Sequence, residues 1–292
     1  MIGNSSMFIG VLPYSHRHQA DLSQTPLSLF QWMHNNVPPH GVVADLSASD
    51  HIVVSPSSHS ILWGFGDLSC KVDLLLTEPK SIHGKYYNLL WLLNRRYHFV
   101  LCRYPDLVKR HDNVILFNSA EPWIIVEELP ALHHQPPRKL CSIISSDKTD
   151  QIGHKLRHQV IEKILAKQLP VDVIGRGYAP FEHKWQGLLP YKYSIVIENV
   201  QESDYFTEKL LDAYLCGTIP IYWGTNDIGR YFDVEGIIIC HSANDIIKAI
   251  VSLPENLDMK IKQAINTNKQ LAYGYVNRPH RIAQTIFNQI ST

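Results

Sequence analysis

The sequence predicts an α/β protein made of two Rossmann-like domains, and three observations lead to this fold class. The chain has 292 residues, which is more than one hydrophobic core usually needs. Short apolar runs typical of buried strands alternate with longer segments typical of helices, as in parallel sheets covered by helices. A stretch rich in proline interrupts this alternation near the middle of the chain. We therefore expect a first domain over residues 1–130 and a second over residues 139–292.

The first domain contains a series of short apolar runs separated by polar turns. These runs predict five strands, over residues 7–14, 51–55, 72–76, 99–102 and 113–117. Two segments rich in leucine and aromatic residues predict helices over residues 27–35 and 86–96. Glu78 and Pro79 follow the third strand closely, and the proline stops the strand and holds Glu78 extended. Glu78 is therefore expected near the carboxyl end of a strand, where functional groups of α/β sheets usually lie.

The expected interdomain linker covers residues 127–139, which contain three prolines and have no sustained hydrophobic period. Strands and helices alternate again after it. The predicted strands of the second domain are residues 140–144, 171–175, 194–197 and 219–223. The predicted helices are residues 153–166, a segment from about Tyr205 to the cap residue Gly217, and two or three segments within 243–292. The first of these helices places its apolar side chains on one face, namely Leu156, Val160, Ile161, Ile164 and Leu165.

Composition and charge exclude several classes of protein. Lys+Arg and Asp+Glu are balanced at 27 each, so the chain has no general attraction for nucleic acid or an anionic membrane. The five cysteines are scattered and have no C-x-x-C spacing, which favours buried thiols in a reducing compartment over disulfides or zinc. The start of the chain does not resemble a signal peptide, and no apolar run is long enough to span a bilayer. We therefore expect no transmembrane segment and a cytoplasmic location.

The most informative stretch is the strand–helix–strand unit between residues 191 and 224. In open α/β sheets, ligands bind outside the carboxyl ends of the strands. Glu198 and Asn199 end the first strand of this unit and are therefore expected at that edge, together with Asp204 and Tyr205. Ser203 or Asp204 is the expected cap of the following helix.

The step Thr207-Glu208-Lys209 falls in the first turn of the predicted helix. A helix N-terminus prefers anions, so Lys209 is poorly placed for stability unless an anion shares the site. This placement indicates a phosphate held by Lys209 and backbone N–H groups, with Glu208 and Asn199 accepting hydrogen bonds from sugar hydroxyls. The alternative is an amphipathic surface helix with an exposed like-charge pair, Glu208 and Asp212.

The same stretch resembles the donor-binding signature of the α-1,3/α-1,4-fucosyltransferases. The resemblance is carried by Glu-Asn at 198–199, Asp-Tyr-x-Thr-Glu-Lys-Leu at 204–210, Gly217, and Ile-Pro-Ile at 219–221. It implies a GT-B fold, in which two Rossmann-like domains face each other across a cleft. It also implies inverting transfer of fucose from GDP-fucose to a hydroxyl of a glycan acceptor. The signature would lie in the C-terminal, donor-binding domain.

The resemblance also implies roles for individual residues. Glu78 would be the general base that takes the proton of the attacking hydroxyl, although the alternative that it merely ends a strand stays open. Arg157 would contact the donor phosphates, with a solvated basic face beside Lys155 and His158 as its alternative. Tyr205 would stack on the donor or hydrogen bond to it, and Glu208 would orient hydroxyls of fucose or ribose. Lys209 would offset the charge of the leaving phosphate.

Some features of the sequence depart from the family pattern or bear on cofactors and on the final helix. Ser194 and Val200 depart from the pattern of the family, so a transferase that uses another GDP-sugar is the first alternative. A nucleotide-sugar-binding protein without turnover is the second. No Asp-x-Asp motif is present, and with Arg157 and Lys209 available we expect no required cofactor or metal ion. By resemblance, the final helix over residues 281–290 is expected to return to the first domain.

Overall fold

Two units make up the fold. The computed structural model describes residues 7–17, 19, 21–33, 37–38, 40–129, 137, 139–254 and 256–291. Contacts between residues assign Met1–Ser119 and Asn277–Thr292 to the first unit, and Ala120–Val276 to the second. The second unit thus begins before the expected linker, and the end of the chain belongs to the first unit. Residues 130–136 and 138 of that linker lie outside the described residues.

The first unit is built on a six-stranded sheet. Its strands are β1 Ile9–Val11, β2 Gln31–Trp32, β3 His51–Val54, β4 Lys71–Leu75, β5 Val100–Cys102 and β6 Val114–Leu116. Their order in the sheet is β2-β1-β3-β4-β5-β6. Only β2 is antiparallel to its neighbour among these pairs, and the five other strands run parallel.

Helices cover both faces of this sheet because alternating residues of its strands are buried on opposite sides. The helices are α1 Ser58–Trp63, α2 Lys80–Leu93, α3 Pro105–Arg110 and, from the end of the chain, α8 Arg278–Ser291. Apolar residues of α1, α2 and α3 share one core with Ile52 and Leu74. The other core joins Val53 and Leu75 to Ile282 of α8. Helix α8 therefore completes the first unit by covering the face that the three earlier helices leave open.

The second unit is a five-stranded, fully parallel sheet. Its strands are β7 Lys139–Ile144, β8 Val171–Ile174, β9 Tyr191–Ile197, β10 Ile219–Trp223 and β11 Ile238–Ile239. Their order is β11-β10-β9-β7-β8, and every pairing is parallel. The chain thus starts in β7, moves outward to β8, and then returns past β7 to β9. This reversal is the topological switch point, where ligands of doubly wound sheets bind beyond the carboxyl ends of the strands.

Two pairs of helices cover the second sheet. They are α4 Ile152–Ala166 with α6 Ala243–Val251 on one face, and α5 Glu208–Leu215 with α7 Met259–Tyr273 on the other. The alternation of buried residues along β9 follows this arrangement, since Ile195 packs in the core of α4 and α6 and Val196 in the core of α5. The first turn of α5 is therefore fixed directly beside the carboxyl end of β9.

The prediction of an α/β protein with two helix-covered, largely parallel sheets is confirmed. The expected helix over residues 27–35 is wrong, because a short 3₁₀ turn, Leu27–Leu29, leads into strand β2. The indole N–H of Trp32 donates to the Leu27 carbonyl (3.0 Å), and Trp32 pairs with Gly10 of β1. Residues 34–36 lie outside the described residues. Leu165 is 61% exposed, so it does not share the buried face of α4.

Two further sequence features can be compared with the fold. All five cysteines are buried and free, as predicted. Among the helices that the structure describes, none combines the length and apolar character needed to cross a membrane.

Candidate active site

The candidate site lies at the carboxyl edge of the second sheet. Strand β9 ends at Ile197, and Glu198 and Asn199 follow it at the switch point between β7 and β9. Glu198 is fully buried and its backbone N–H donates to the Trp223 carbonyl (2.9 Å) at the end of β10. The sheet thus places Glu198 and Asn199 where the sequence predicts ligand-binding groups.

Glu198 also fixes the start of helix α5. Its carboxylate accepts the backbone N–H of Thr207 (2.8 Å) at one oxygen and the Thr207 hydroxyl (2.7 Å) at the other. Thr207 in turn caps α5, since its side-chain oxygen accepts the N–H of Lys209 (3.4 Å). The predicted step Thr207-Glu208-Lys209 therefore does open the helix, and a buried carboxylate holds its cap in place.

The expected cap at Ser203 or Asp204 is wrong, and so is the expected helix start at Tyr205. Asp204 adopts a positive φ of 58°, a left-handed conformation that lies outside the helix. Its carboxylate accepts a hydrogen bond from Arg230 (2.7 Å) and one from the Tyr231 hydroxyl (2.5 Å). Asp204 is thus used to tie the loop after β9 to the loop after β10.

Lys209 lies among carboxylates at the first turn of α5. Its ammonium is 2.9 Å from a Glu208 oxygen and 3.8 Å from a Glu198 oxygen, and its side chain is 25% exposed. The anion that the helix position requires is thus present within the protein, so the position alone does not demand a phosphate. The alternative of an exposed like-charge pair is also wrong, because the Asp212 side chain is fully buried and only a small part of Glu208 reaches the surface.

The charges of this cluster shift its protonation equilibria. Burial opposes ionisation of Glu208, but Lys209 and Lys184 outweigh it and lower the pKa of Glu208 to about 2. Burial works against the ammonium of Lys209, yet Glu208 and Glu198 raise its pKa. Burial raises the pKa of Glu198 above its usual value, against the opposing charge of Lys209. The site therefore holds a firmly charged Glu208–Lys209 pair beside a carboxyl group that is easier to protonate.

Arg157 reaches the same edge from helix α4. Its Nε and Nη2 both donate to the Ile197 carbonyl (3.0 and 2.7 Å), and Nη2 also donates to the Asn199 side chain (2.9 Å). The residue is buried, so the alternative of a solvated basic face is wrong. Nη1 makes none of these bonds. The guanidinium is thus oriented at the end of β9, with one nitrogen left to contact a ligand.

Close backbone packing brings Arg157 and Glu198 together. A Cβ at Gly153, in the first turn of α4, would overlap the Glu198 carbonyl, and the Gly153 N–H donates to the Asn199 carbonyl (2.9 Å). A Cβ at Gly224, just after β10, would overlap the Tyr222 ring and approach the Glu198 side chain. Only glycine permits these approaches, so both positions help to define the shape of the edge.

Other residues predicted from the donor signature have different surroundings. Tyr205 is 2% exposed, so its ring packs within the unit, and its contact with a donor stays a prediction. Ser194 is also buried, and it accepts a hydrogen bond from the Ser142 hydroxyl (3.0 Å) inside the sheet. Ser194 therefore fills the core between neighbouring strands. Its departure from the family pattern is not an argument for a different donor.

Glu78 lies in the first unit, on a bend after β4, and is half-buried. Its backbone carbonyl accepts the Tyr87 hydroxyl (3.1 Å), and the preceding carbonyl of Thr77 accepts the Arg103 guanidinium. Burial, assisted by Lys85 and Arg103, lowers the pKa of the nearby His83 to about 4, so this imidazole is neutral at pH 7. The carboxyl edge of the first sheet thus fixes the backbone around Glu78. Its role as a base stays a prediction.

Two basic residues of the second unit were missed in the sequence. Lys184 forms an ion pair with Asp212 (2.7 Å), and Arg230 pairs with Asp204. Arg230 follows β10, whose carboxyl end is next to that of β9, so a search of every loop after a predicted strand would have found it. Lys184 precedes its strand and has no comparable signal.

Comparisons with solved structures identify the class of fold. An α1,3-fucosyltransferase crystal structure matches with a TM-score of 0.51 and 17% identity, over 84% of this chain and 78% of that chain. A crystal structure of a point mutant of S. aureus TarM matches with a TM-score of 0.57 and 13% identity, over 84% and 56%. Together with the two helix-covered sheets and the switch-point site, these matches define a fold of the GT-B glycosyltransferase type.

Comparisons of sequence match the second unit of the chain to one family. Residues 135–250 match the family described as glycosyltransferase family 10 (fucosyltransferase), C-terminal part. Helicobacter pylori α-(1,3)-fucosyltransferase FucT is 32% identical over 116 residues, which are 37% of this chain and 24% of that protein. A putative fucosyltransferase of Acanthamoeba polyphaga mimivirus is 31% identical over 91 residues, which are 30% and 13%. Residues 135–250 of the chain thus resemble glycosyltransferase family 10, and the chain covers a quarter or less of the length of either relative.

Proposed function

We propose that this protein transfers fucose from GDP-fucose to a hydroxyl group of a glycan acceptor, with inversion at the sugar carbon. The observation that carries the proposal is the meeting of Arg157 and Lys209 at the switch point, inside the segment that matches family 10. The five buried, free thiols are in keeping with action in the cytoplasm.

The diphosphate of the donor would bind beside Arg157 and Lys209. Arg157 is held by the Ile197 carbonyl and keeps Nη1 for a phosphate oxygen. Lys209 is only partly exposed, and a phosphate would replace part of its contact with Glu208. With Arg157 and Lys209 as the cations that would contact the diphosphate, the proposal includes no divalent metal ion.

Transfer would proceed in one step. The acceptor oxygen forms a bond to the anomeric carbon while the bond from that carbon to the β-phosphate oxygen breaks, and its electron pair stays on GDP. Glu78, as the general base, takes the proton of the acceptor hydroxyl. Lys209 stabilises the negative charge that develops on the leaving phosphate. Glu208, which stays ionised near neutral pH, would accept hydrogen bonds from donor hydroxyls.

Incubation of the protein with GDP-fucose and a panel of glycans, followed by mass spectrometry, tests the proposal. We expect one added fucose on at least one glycan, with release of GDP. Substitution of Lys209→Met should lower the rate about 10²–10³-fold, as expected for loss of one group that stabilises the leaving charge. The exposed Lys155→Met, on helix α4, is the matched control and should change the rate less than about twofold.

Other outcomes select the alternatives. Faster transfer from a different GDP-sugar would replace fucose as the donor sugar. Calorimetric binding of GDP without transfer or donor hydrolysis would instead identify a nucleotide-sugar-binding protein.

A further inference from the structure

An exposed tryptophan at the start of the second unit has an unusually rigid support. The Trp123 side chain is 71% exposed, although large aromatic side chains are more often buried. The buried Asp212 accepts the backbone N–H groups of Trp123 (2.9 Å) and Ile124 (3.1 Å) at one oxygen. Ile124 is itself buried in the core that includes α5. The backbone under the indole is thus fixed to helix α5, while the ring remains in solvent.

Lys184 fixes the orientation of this ring. Its ammonium is 2.7 Å from the second oxygen of Asp212 and 4.6 Å from the centre of the Trp123 ring. Such a cation–π contact orients the indole. Among the described residues, no acceptor is found for the indole N–H of Trp123. The ring therefore presents apolar surface and a hydrogen-bond donor to solvent.

Trp123 and Glu208 of the candidate site are connected through Asp212 and Lys184. Asp212 is four residues after Glu208 on α5, so the two side chains are neighbours on one face of the helix, with Cβ atoms roughly 6 Å apart. Lys184, which contacts Asp212 and Trp123, also contributes to the low pKa of Glu208. An ionised carboxylate and an exposed indole thus occupy the same side of α5.

We propose that Trp123 is a sugar-stacking residue, whose ring packs against the C–H face of a pyranose while Glu208 accepts its hydroxyl groups. Sugar rings have an apolar face that suits an aromatic ring and polar edges that suit a carboxylate. The pyranose is either the fucose of the donor or a ring of the acceptor. The inference rests on the proposed function, because it assigns a sugar to the same site.

Trp123→Ala tests the inference in two binding experiments on the full chain. Calorimetry compares GDP with GDP-fucose, and saturation-transfer NMR measures methyl β-galactoside and methyl β-N-acetylglucosaminide, each with and without GDP. We expect unchanged affinity for GDP, together with about tenfold weaker binding of either GDP-fucose or one methyl glycoside. If only the binding of GDP-fucose is weakened, the stacked ring is the fucose of the donor. If only the signal of a methyl glycoside is lost, the stacked ring belongs to the acceptor. Trp123→Phe should restore most of the affected binding because it retains an aromatic face.

Trp63→Ala is the matched control, because Trp63 is a 75% exposed tryptophan of the first unit. Equal weakening of GDP and GDP-fucose, or no change in any sugar measurement, would overturn the stacking role. If the wild-type protein shows neither a preference for GDP-fucose over GDP nor a glycoside signal, the stacking role is likewise overturned. Absence of GDP binding to the wild-type protein would overturn the proposed function separately, since the glycoside measurements without GDP still report on Trp123.

Discussion

The carboxyl edges of the two sheets differ in how their polar side chains are held. At the second sheet, Glu198, Lys209 and Arg157 bind one another or nearby backbone, and little of the cluster reaches solvent. At the first sheet, partners fix the backbone on either side of Glu78, while the residue itself is partly exposed. One edge therefore has a pre-organised charged site, and the other has a carboxylate on a supported bend.

This difference fits the two tasks that the proposed transfer requires. Binding of a diphosphate benefits from cations that are already oriented, because no reorganisation is then needed as charge develops. A general base must instead reach a hydroxyl that arrives with each acceptor. The comparison predicts that substitutions at the first edge affect the reaction alone, whereas substitutions at the second also affect stability.

The largest expected effect is that of Glu78→Gln. This change keeps the shape of the side chain and removes its basicity, so the transfer rate should fall about 10²–10⁴-fold. Because Glu78 is partly exposed and glutamine has nearly the same shape, the free energy of unfolding should change by less than about 0.5 kcal/mol. GDP affinity should be unchanged. Initial rates, calorimetry with GDP and urea unfolding measure the three quantities.

The matched control is Glu162→Gln, at an exposed position of helix α4, which should leave the transfer rate unchanged. A Glu78→Gln variant with a rate near that of the wild-type protein would remove Glu78 from the mechanism. Its carboxylate would then merely end the bend after β4.

The pH dependence of the unfolding free energy is the second way to distinguish the two carboxyl edges. The pKa of Glu208 is about 2 in the folded protein and 4.5 for the unperturbed group, so its ionised form stabilises the fold. This contribution is fully present above the unfolded pKa and is lost as the pH falls towards about 2. By linkage, Glu208→Gln should lower the unfolding free energy at pH 7 by about 3 kcal/mol, with the deficit shrinking below about pH 4.5.

Urea unfolding from pH 7 to pH 3 checks this pH dependence, with Glu162→Gln again as the exposed control. A deficit that stays constant across this pH range would mean that Glu208 stabilises α5 through packing and not through its charge.

The sequence was most informative where the local pattern and the topology agree. The Val- and Ile-rich strand before Glu198 predicted that Glu198 lies at the carboxyl end of a strand, and Lys209 is in the first turn of α5, as predicted. The start of that helix was misplaced because Ser203 and Asp204 are good caps by residue type. The actual cap, Thr207, is selected by the buried Glu198 carboxylate, which acts from nine residues earlier in the chain.

Long-range pairings account for the rest of what the sequence did not reveal. The partners of Lys209 include Glu198, and Asp212 binds backbone groups that precede it by 88 and 89 residues. Residues 27–35 have a helical composition, yet Gln31 and Trp32 pair with β1 instead. In these cases a partner that is distant in the sequence determines the local structure. The intrinsic propensity of a residue does not specify that partner.

The smallest expected effect concerns packing at the second edge. Gly153→Ala would push its new methyl group against the Glu198 carbonyl, so helix α4 must move away from β9. We expect a loss of about 1–3 kcal/mol in unfolding free energy. GDP affinity should fall as well, because Arg157 is on the same helix and its bonds to the Ile197 carbonyl depend on that packing. Urea unfolding and GDP calorimetry measure the two effects.

The matched control is Gly84→Ala in helix α2 of the first unit, where no described atom lies within 4 Å of the added Cβ. There alanine should stabilise the helix by about 0.5–1 kcal/mol, because it restricts the unfolded chain without a clash. Changes of opposite sign in the unfolding free energy of the two variants would locate the tight backbone contact at the second edge. Stabilisation by alanine at both positions would contradict this contact. Helix α4 would then tolerate a methyl group beside Glu198, and the position of Arg157 would not depend on Gly153.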